Sequence, residues 1–124
     1  MNQKIKKKLP WIGVIVLVII LFVVLIINNN RPGELDSFAR CISDSGAKFY
    51  GAFWCSACNS QKDLFGRSER LLPYVECSSS NGQSQTIVCQ QAKIESYPTW
   101  EFNGQRQVGV MSLQALSEKT GCQL

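Results

Sequence analysis

Trp11 to Ile27 reads WIGVIVLVIILFVVLII, seventeen consecutive residues with no charge and no polar side chain. With Leu9 and Pro10 the run reaches nineteen, close to the roughly 20 residues that cross the hydrocarbon core of a bilayer. β-Branched residues dominate it, yet an isolated strand cannot satisfy its backbone in lipid, so the run is predicted to be a helix. No face of it is polar, which argues against a helix of a soluble core. A cleaved signal peptide would carry an apolar segment of about 7–15 residues followed by small residues. Here Asn28-Asn29-Asn30-Arg31-Pro32-Gly33 follows instead. The expectation is an uncleaved transmembrane anchor over residues 9–27.

Charge orients that anchor. Lys4, Lys6, Lys7 and Lys8 precede it, whereas nine basic and nine acidic residues from Asn28 onward cancel. The net charge of +4 therefore sits in residues 1–8, read as a cytoplasmic basic tail because positive flanks stay inside. Residues 28–33 read as a linker. Residues 34–124 form one domain, placed outside the cytoplasm in a periplasmic or extracellular space. That domain has no surplus positive charge for a nucleic-acid face.

Six cysteines among the 97 residues after Ile27 suit an oxidising compartment. The sequence contains no histidine, which removes the commonest metal ligand and the usual general base at neutral pH.

Local patterns give the element order. Leu35, Phe38, Ala39 and Ile42 have helical spacing within Glu34–Ser45, and Gly46 ends that segment. Lys48 to Phe53 reads as a buried strand. Cys55 to about Arg67 reads as a helix with Cys58, Leu64 and Phe65 on one side. Leu72–Glu76 is a second strand, Ser78–Gln85 a loop, and Thr86–Ile94 a short helix. Thr99–Phe102 and Arg106–Gly109 flank Asn103-Gly104, a hairpin signal. Ser112 caps a last helix to Thr120, which Gly121 ends. The result is an α/β chain with a small mixed sheet flanked by helices. About 90 residues build only a modest core, so covalent staples are expected.

Cys55 and Cys58, in FYGAFWCSAC, stand where a strand gives way to a helix. Half of a zinc site would require two further ligands, commonly another close pair. The remaining spacing, eighteen residues from Cys58 to Cys77 and eleven from Cys77 to Cys89, does not supply it, so no metal is expected. A local structural bridge is a second reading. The redox reading has the firmer physical basis. A helix start carries unpaired N–H groups and a partial positive charge, which favour a nucleophilic anionic sulfur at Cys55. Cys58, one turn on and facing inward, is placed to resolve a mixed disulfide on Cys55.

Tyr97-Pro98-Thr99 precedes the hairpin, forty residues after Cys58. This arrangement resembles the thioredoxin fold, in which a cis-proline loop lies beside the CxxC and pairs with the substrate chain. Pro98 matches that proline by order. The segments FYGAFWCSAC, QKDLFG, LPYVECS and SYPTWEFNG, with the C-terminal Gly121-Cys122, further resemble the thioredoxin-like domain attached to bacterial vitamin K epoxide reductase homologues. The resemblance covers about residues 35–122. It implies a thioredoxin-like fold and thiol–disulfide exchange in disulfide-bond formation, with protein thiols and disulfides as substrates. It also implies a quinone-linked membrane oxidase, here a separate partner because this chain carries a single anchor helix. No cofactor is implied beyond the cysteine pair. Trp54, Tyr97 and Pro98 become expected substrate contacts.

Two departures bear on direction. The family's usual Pro-His dipeptide is Ser56-Ala57 here, which makes the pair a weaker oxidant. The buried acid that many thioredoxins hold six residues before the first cysteine is Phe49 here. A dedicated reductase, for example in cytochrome maturation, therefore stays open, as does a redox-inert binding module. Of the other cysteines, Cys77 and Cys89 bracket the Ser-rich loop as a local bridge, leaving Cys41 with Cys122. Structural bridges are favoured there over a relay to Cys55 and Cys58. Trp100 is read as core.

Overall fold

The computed structural model describes residues 3–124. Of the basic segment 1–8, the first two residues lie outside them. The chain divides into two compact units, one ending at Arg31 and the other spanning Pro32–Leu124. The first is a single helix, α1 (Gln3–Asn29), which takes in most of the lysine-rich segment. Its stretch Pro10–Asn29 is long and apolar enough to cross a membrane. At 1.5 Å per residue those 20 residues extend about 30 Å, the thickness of a bilayer's hydrocarbon core.

The second unit is a four-stranded mixed sheet flanked by helices. Its elements are α2 (Asp36–Asp44), β1 (Lys48–Gly51), α3 (Ser56–Asp63), β2 (Tyr74–Glu76), α4 (Ile87–Gln91), β3 (Thr99–Phe102), β4 (Gln105–Val108) and α5 (Leu113–Thr120). The strand order is β2-β1-β3-β4. β1 runs parallel to β2 and antiparallel to β3, which is antiparallel to β4. A parallel neighbour needs a crossover, and α3 with a 3-10 turn over Gly66–Leu71 supplies it.

Period-two alternation splits the core between the two faces of the sheet. Phe49 and Trp100 stack at 4.7 Å between ring centroids. They pack with Phe38, Ala39 and Ile42 of α2, Cys58 of α3 and Leu116 of α5. Tyr50 packs on the other face with Cys77, Cys89 and Ile94. Two disulfides staple these layers: Cys41–Cys122 joins α2 to the C-terminus, and Cys77–Cys89 joins the end of β2 to α4. Arg70 grips Asp36 through two bonds, 2.8 and 3.1 Å, and Leu35 N–H donates to the buried Ser68 Oγ. These contacts seat the 3-10 turn against the start of α2.

Local chemistry sets several ends. Asn103 (φ 48°) and Gly104 (φ 79°) turn β3 into β4, the left-handed pair that a two-residue hairpin requires. Ser112 Oγ accepts the Ala115 N–H at 3.1 Å, and Gly121 closes α5 in the left-handed region.

The structure departs from the sequence reading in two places that shape the site. β1 ends at Gly51 rather than Phe53, because the chain turns at Ala52, whose carbonyl accepts the Cys55 N–H at 3.0 Å. Phe53 is accordingly half exposed. The helix expected to reach Arg67 stops at Asp63, and Gly66 enters the left-handed region (φ 52°) before the 3-10 turn. Leu64 is thereby turned outward, and the inward position one turn after Cys58 belongs to Gln61, which is fully buried.

Candidate active site

Cys55 occupies the N-cap position of α3 with extended backbone (φ −80°, ψ 113°). Its Sγ accepts the Cys58 N–H at 3.2 Å. The helix start thus uses a sulfur where Ser, Thr, Asp or Asn would usually serve. Both thiols are free. Cys58 is wholly buried, and Cys55 is the less deeply buried of the two. Burial, reinforced by the hydrogen bond to Cys55, pushes the Cys58 thiol up to about 12, while the Ala52 backbone and then Lys62 pull the other way. Cys58 is therefore a neutral thiol at rest.

Gly51 explains how Cys58 fits. A Cβ at Gly51 would lie 3.0 Å from Cys58 Sγ and 2.9 Å from Tyr74 Cε2. The sulfur and the ring edge share the space that glycine leaves empty. Tyr74 carries the Lys62 ammonium 3.6 Å from its ring centroid. Its hydroxyl donates to Glu76 Oε2 at 2.9 Å. Burial first, then that carboxylate, drive the Tyr74 hydroxyl well above the ordinary phenol range.

Glu76 also binds the loop that presents Cys55. Its Oε1 accepts the N–H of Phe53 (3.3 Å) and of Ser78 (2.9 Å). Asn59 Nδ2 donates to the Phe53 carbonyl at 3.3 Å from the α3 side. Phe53, at the middle of this turn, is thus held through both its N–H and its carbonyl. The sequence reading treated Glu76 only as the end of a strand. Its signal was a single acid closing an apolar run beside Cys77. Gln61 left a similar trace, a polar residue three positions after Cys58.

Trp54 is 56% exposed, yet its Nε1 donates to Ser78 Oγ at 2.8 Å and its ring meets Tyr97 edge-on at 6.0 Å. The Tyr97–Pro98 peptide is cis, and Pro98 is fully buried. Tyr50 pairs with Thr99, so Pro98 falls level with Gly51, at the end of the sheet from which Cys55 emerges. Trp54 and Tyr97 are in direct contact, as are Cys55 and Cys58, and Pro98 stands at the same sheet end. Trp100 lies in the core. Cys77 and Cys89 are bonded to each other and wholly buried. Among the described residues, no group of three or more His, Cys, Asp or Glu side chains converges to hold a metal ion.

The sheet and α3 thus bring together two free cysteines three positions apart at a helix start. No protein-family model matches the chain. It is 41% identical over 92 residues to the thiol-disulfide oxidoreductase LTO1 of Arabidopsis thaliana. That match takes in 71% of this chain and 24% of LTO1, so the chain corresponds to about a quarter of that relative's length.

Proposed function

We propose that this chain is a membrane-anchored thiol–disulfide oxidoreductase with a thioredoxin-like domain over residues 34–124, acting outside the cytoplasm. The observation that carries the reading is the Cys55–Cys58 pair at the start of α3, with the less deeply buried cysteine at the helix N-cap and the wholly buried one a turn further on. The likeness to a protein named a thiol-disulfide oxidoreductase supports it.

In the oxidising direction the pair starts as a disulfide. A substrate thiolate attacks Cys55 Sγ, the Cys55–Cys58 bond breaks, and Cys58 leaves and takes a proton. A second substrate thiolate then displaces Cys55. The substrate gains a disulfide, and the protein holds both electrons as two thiols. A separate membrane oxidase linked to quinone, of the vitamin K epoxide reductase kind, accepts those electrons and restores the disulfide. Trp54, Tyr97 and Pro98 flank the substrate, and the bridges Cys41–Cys122 and Cys77–Cys89 stay structural. Residues 9–27 anchor the domain, and the lysines of residues 1–8 hold the N-terminus in the cytoplasm.

Ser56-Ala57 favours a second reading, a dedicated reductase running the same steps backward. The reduction potential separates the two: strong oxidants lie near about −120 mV and reducing thioredoxins near about −270 mV.

The mechanism is tested by trapping. Cys58→Ser should accumulate mixed disulfides on Cys55, and Cys55→Ser none, on non-reducing gels after alkylation of free thiols. No adduct on Cys58→Ser would leave a redox-inert binding module. A reporter fused after Leu124 that works only outside the cytoplasm should be active. Activity of a cytoplasm-only reporter would reverse the topology.

A further inference from the structure

We propose that Trp54, Tyr97 and the turn 82–85 form a subsite for one uncharged, ring-sized side chain of a polypeptide, next to the cysteine that exchanges at Cys55. This deepens the oxidoreductase reading and rests on it.

A cavity of about 190 Å³ is lined by the two aromatic rings and this turn, together with Cys77 and Ser78. Its walls are fixed by hydrogen bonds rather than by apolar packing alone. Trp54 is tied to Ser78. Gln85 Nε2 donates to the Tyr97 hydroxyl and to the Ile94 carbonyl, both at 2.7 Å. Ser79 N–H donates to the Ser84 carbonyl at 2.8 Å, Gly82 N–H to the Ser79 carbonyl at 2.9 Å, and Gln83 N–H to Asn81 Oδ1 at 3.1 Å. Gly82 stands in the left-handed region (φ 74°) against the edge of Trp54, 3.6 Å from the position its Cβ would take. The Cys77–Cys89 bridge pins the loop at its root. A wall built this way is preorganised, so binding loses little entropy in ordering it.

The lining decides the occupant. It consists of two π-systems, the bonded Cys77, Gly82 and residues with hydroxyl and amide groups, and among the described residues no carboxylate or ammonium lines it. A ring gains edge-to-face contact there. A charged side chain would lose water there without meeting an opposite charge. The volume suits one such group, since a cavity of about 150 Å³ holds a benzene molecule. Reach fits as well. Trp54 adjoins Cys55 in the chain, and consecutive Cα atoms lie about 3.8 Å apart. A side chain one position from the substrate's reacting cysteine spans a comparable distance.

The test uses the reduced 124-residue chain in detergent. Two peptides, identical except for Phe or Asp immediately before a single cysteine, are each presented as the mixed disulfide with 2-mercaptoethanol. Exchange rates are divided by those of dithiothreitol with the same peptides, which removes intrinsic reactivity. The Phe peptide should react about tenfold faster than the Asp peptide, the scale on which an apolar pocket discriminates. Ser84→Phe fills the cavity and should bring the ratio toward one. Gln83→Lys adds a cation at the rim and should raise the Asp peptide relative to the Phe peptide. Thermal melting checks that each variant is folded. Equal rates for the two peptides with wild-type protein would overturn the subsite while leaving the oxidoreductase reading intact. Failure to react with either peptide or with 2-hydroxyethyl disulfide would overturn the oxidoreductase reading, and the subsite with it.

Discussion

Gln61 Oε1 accepts the indole N–H of Trp100 at 3.1 Å, in a part of the core where neither residue is exposed to solvent. The same oxygen accepts the Met111 N–H at 2.7 Å, and Gln61 Nε2 donates to the Met111 carbonyl at 3.0 Å. One amide on α3 thus binds β3 and the segment leading into α5. Because Gln61 follows Cys58 by one turn, these bonds also fix how α3 lies over the sheet, and with it the depth of the Cys58 sulfur.

Replacing Gln61 with Leu keeps the bulk but leaves an indole N–H and a backbone N–H and carbonyl buried without partners. Each such group costs about 1–3 kcal/mol. Partial relaxation should leave a loss of about 2–4 kcal/mol, read from the denaturation midpoint of the domain. A midpoint within experimental error of wild type would mean that the amide contributes nothing net.

Gly51→Ala places a methyl group 2.9 Å from Tyr74 Cε2 and 3.0 Å from Cys58 Sγ. Overpacking of this kind costs about 1–3 kcal/mol. The sulfur is one of the two groups that must move, so mixed disulfides on Cys55 should resolve more slowly than in wild type. Stopped-flow release of a peptide thiol measures that step. Unchanged release would show that Tyr74 alone gives way.

The buried Cys58 thiol predicts an alkaline loss of stability in the reduced protein. Its folded-state value, pushed from the ordinary 9.0 up to about 12, means that folding favours the neutral form. That contribution is fully present below pH 9, where the unfolded thiol is also protonated. It fades between pH 9 and about 12, as the unfolded chain ionises first. Urea titrations should show reduced wild type falling more steeply with pH than Cys58→Ala across this window. Parallel slopes would show that other groups account for the loss.

The two bridges should differ in weight. Closing the 82-residue loop of Cys41–Cys122 is worth roughly 4.5 kcal/mol by chain entropy, and the 13-residue loop of Cys77–Cys89 roughly 3. Paired Cys→Ser changes should lower the melting temperature in that order. A larger effect from Cys77–Cys89 would show that it does more than limit the unfolded chain, in keeping with its place at the root of the turn 82–85.

Whatever depended on neighbours along the chain was legible in the sequence. The apolar run after the lysines forms a continuous helix, α1, whose stretch Pro10–Asn29 is long and apolar enough to cross a membrane. Asn103-Gly104 supplies the backbone angles of a tight hairpin, and Ser112 and Gly121 bound α5 through bonds within a few residues. The CxxC at a strand-to-helix junction stood out because its two cysteines and the helix start are adjacent in sequence. Tertiary structure decided what distant segments do to one another. Helical spacing alone put Leu64 inside, whereas Gln61 takes the core because Trp100 and Met111, 39 and 50 residues away, meet its amide. Glu76 read as a strand end until β2 paired with β1 and set its carboxylate beneath the Phe53 N–H. Gly51 looked like one more strand residue, yet Cys58 and Tyr74 converge on it from two other elements. Bonds within one turn follow from residue order. A burial site or a shared hydrogen-bond partner exists only once the sheet register has brought separate segments together.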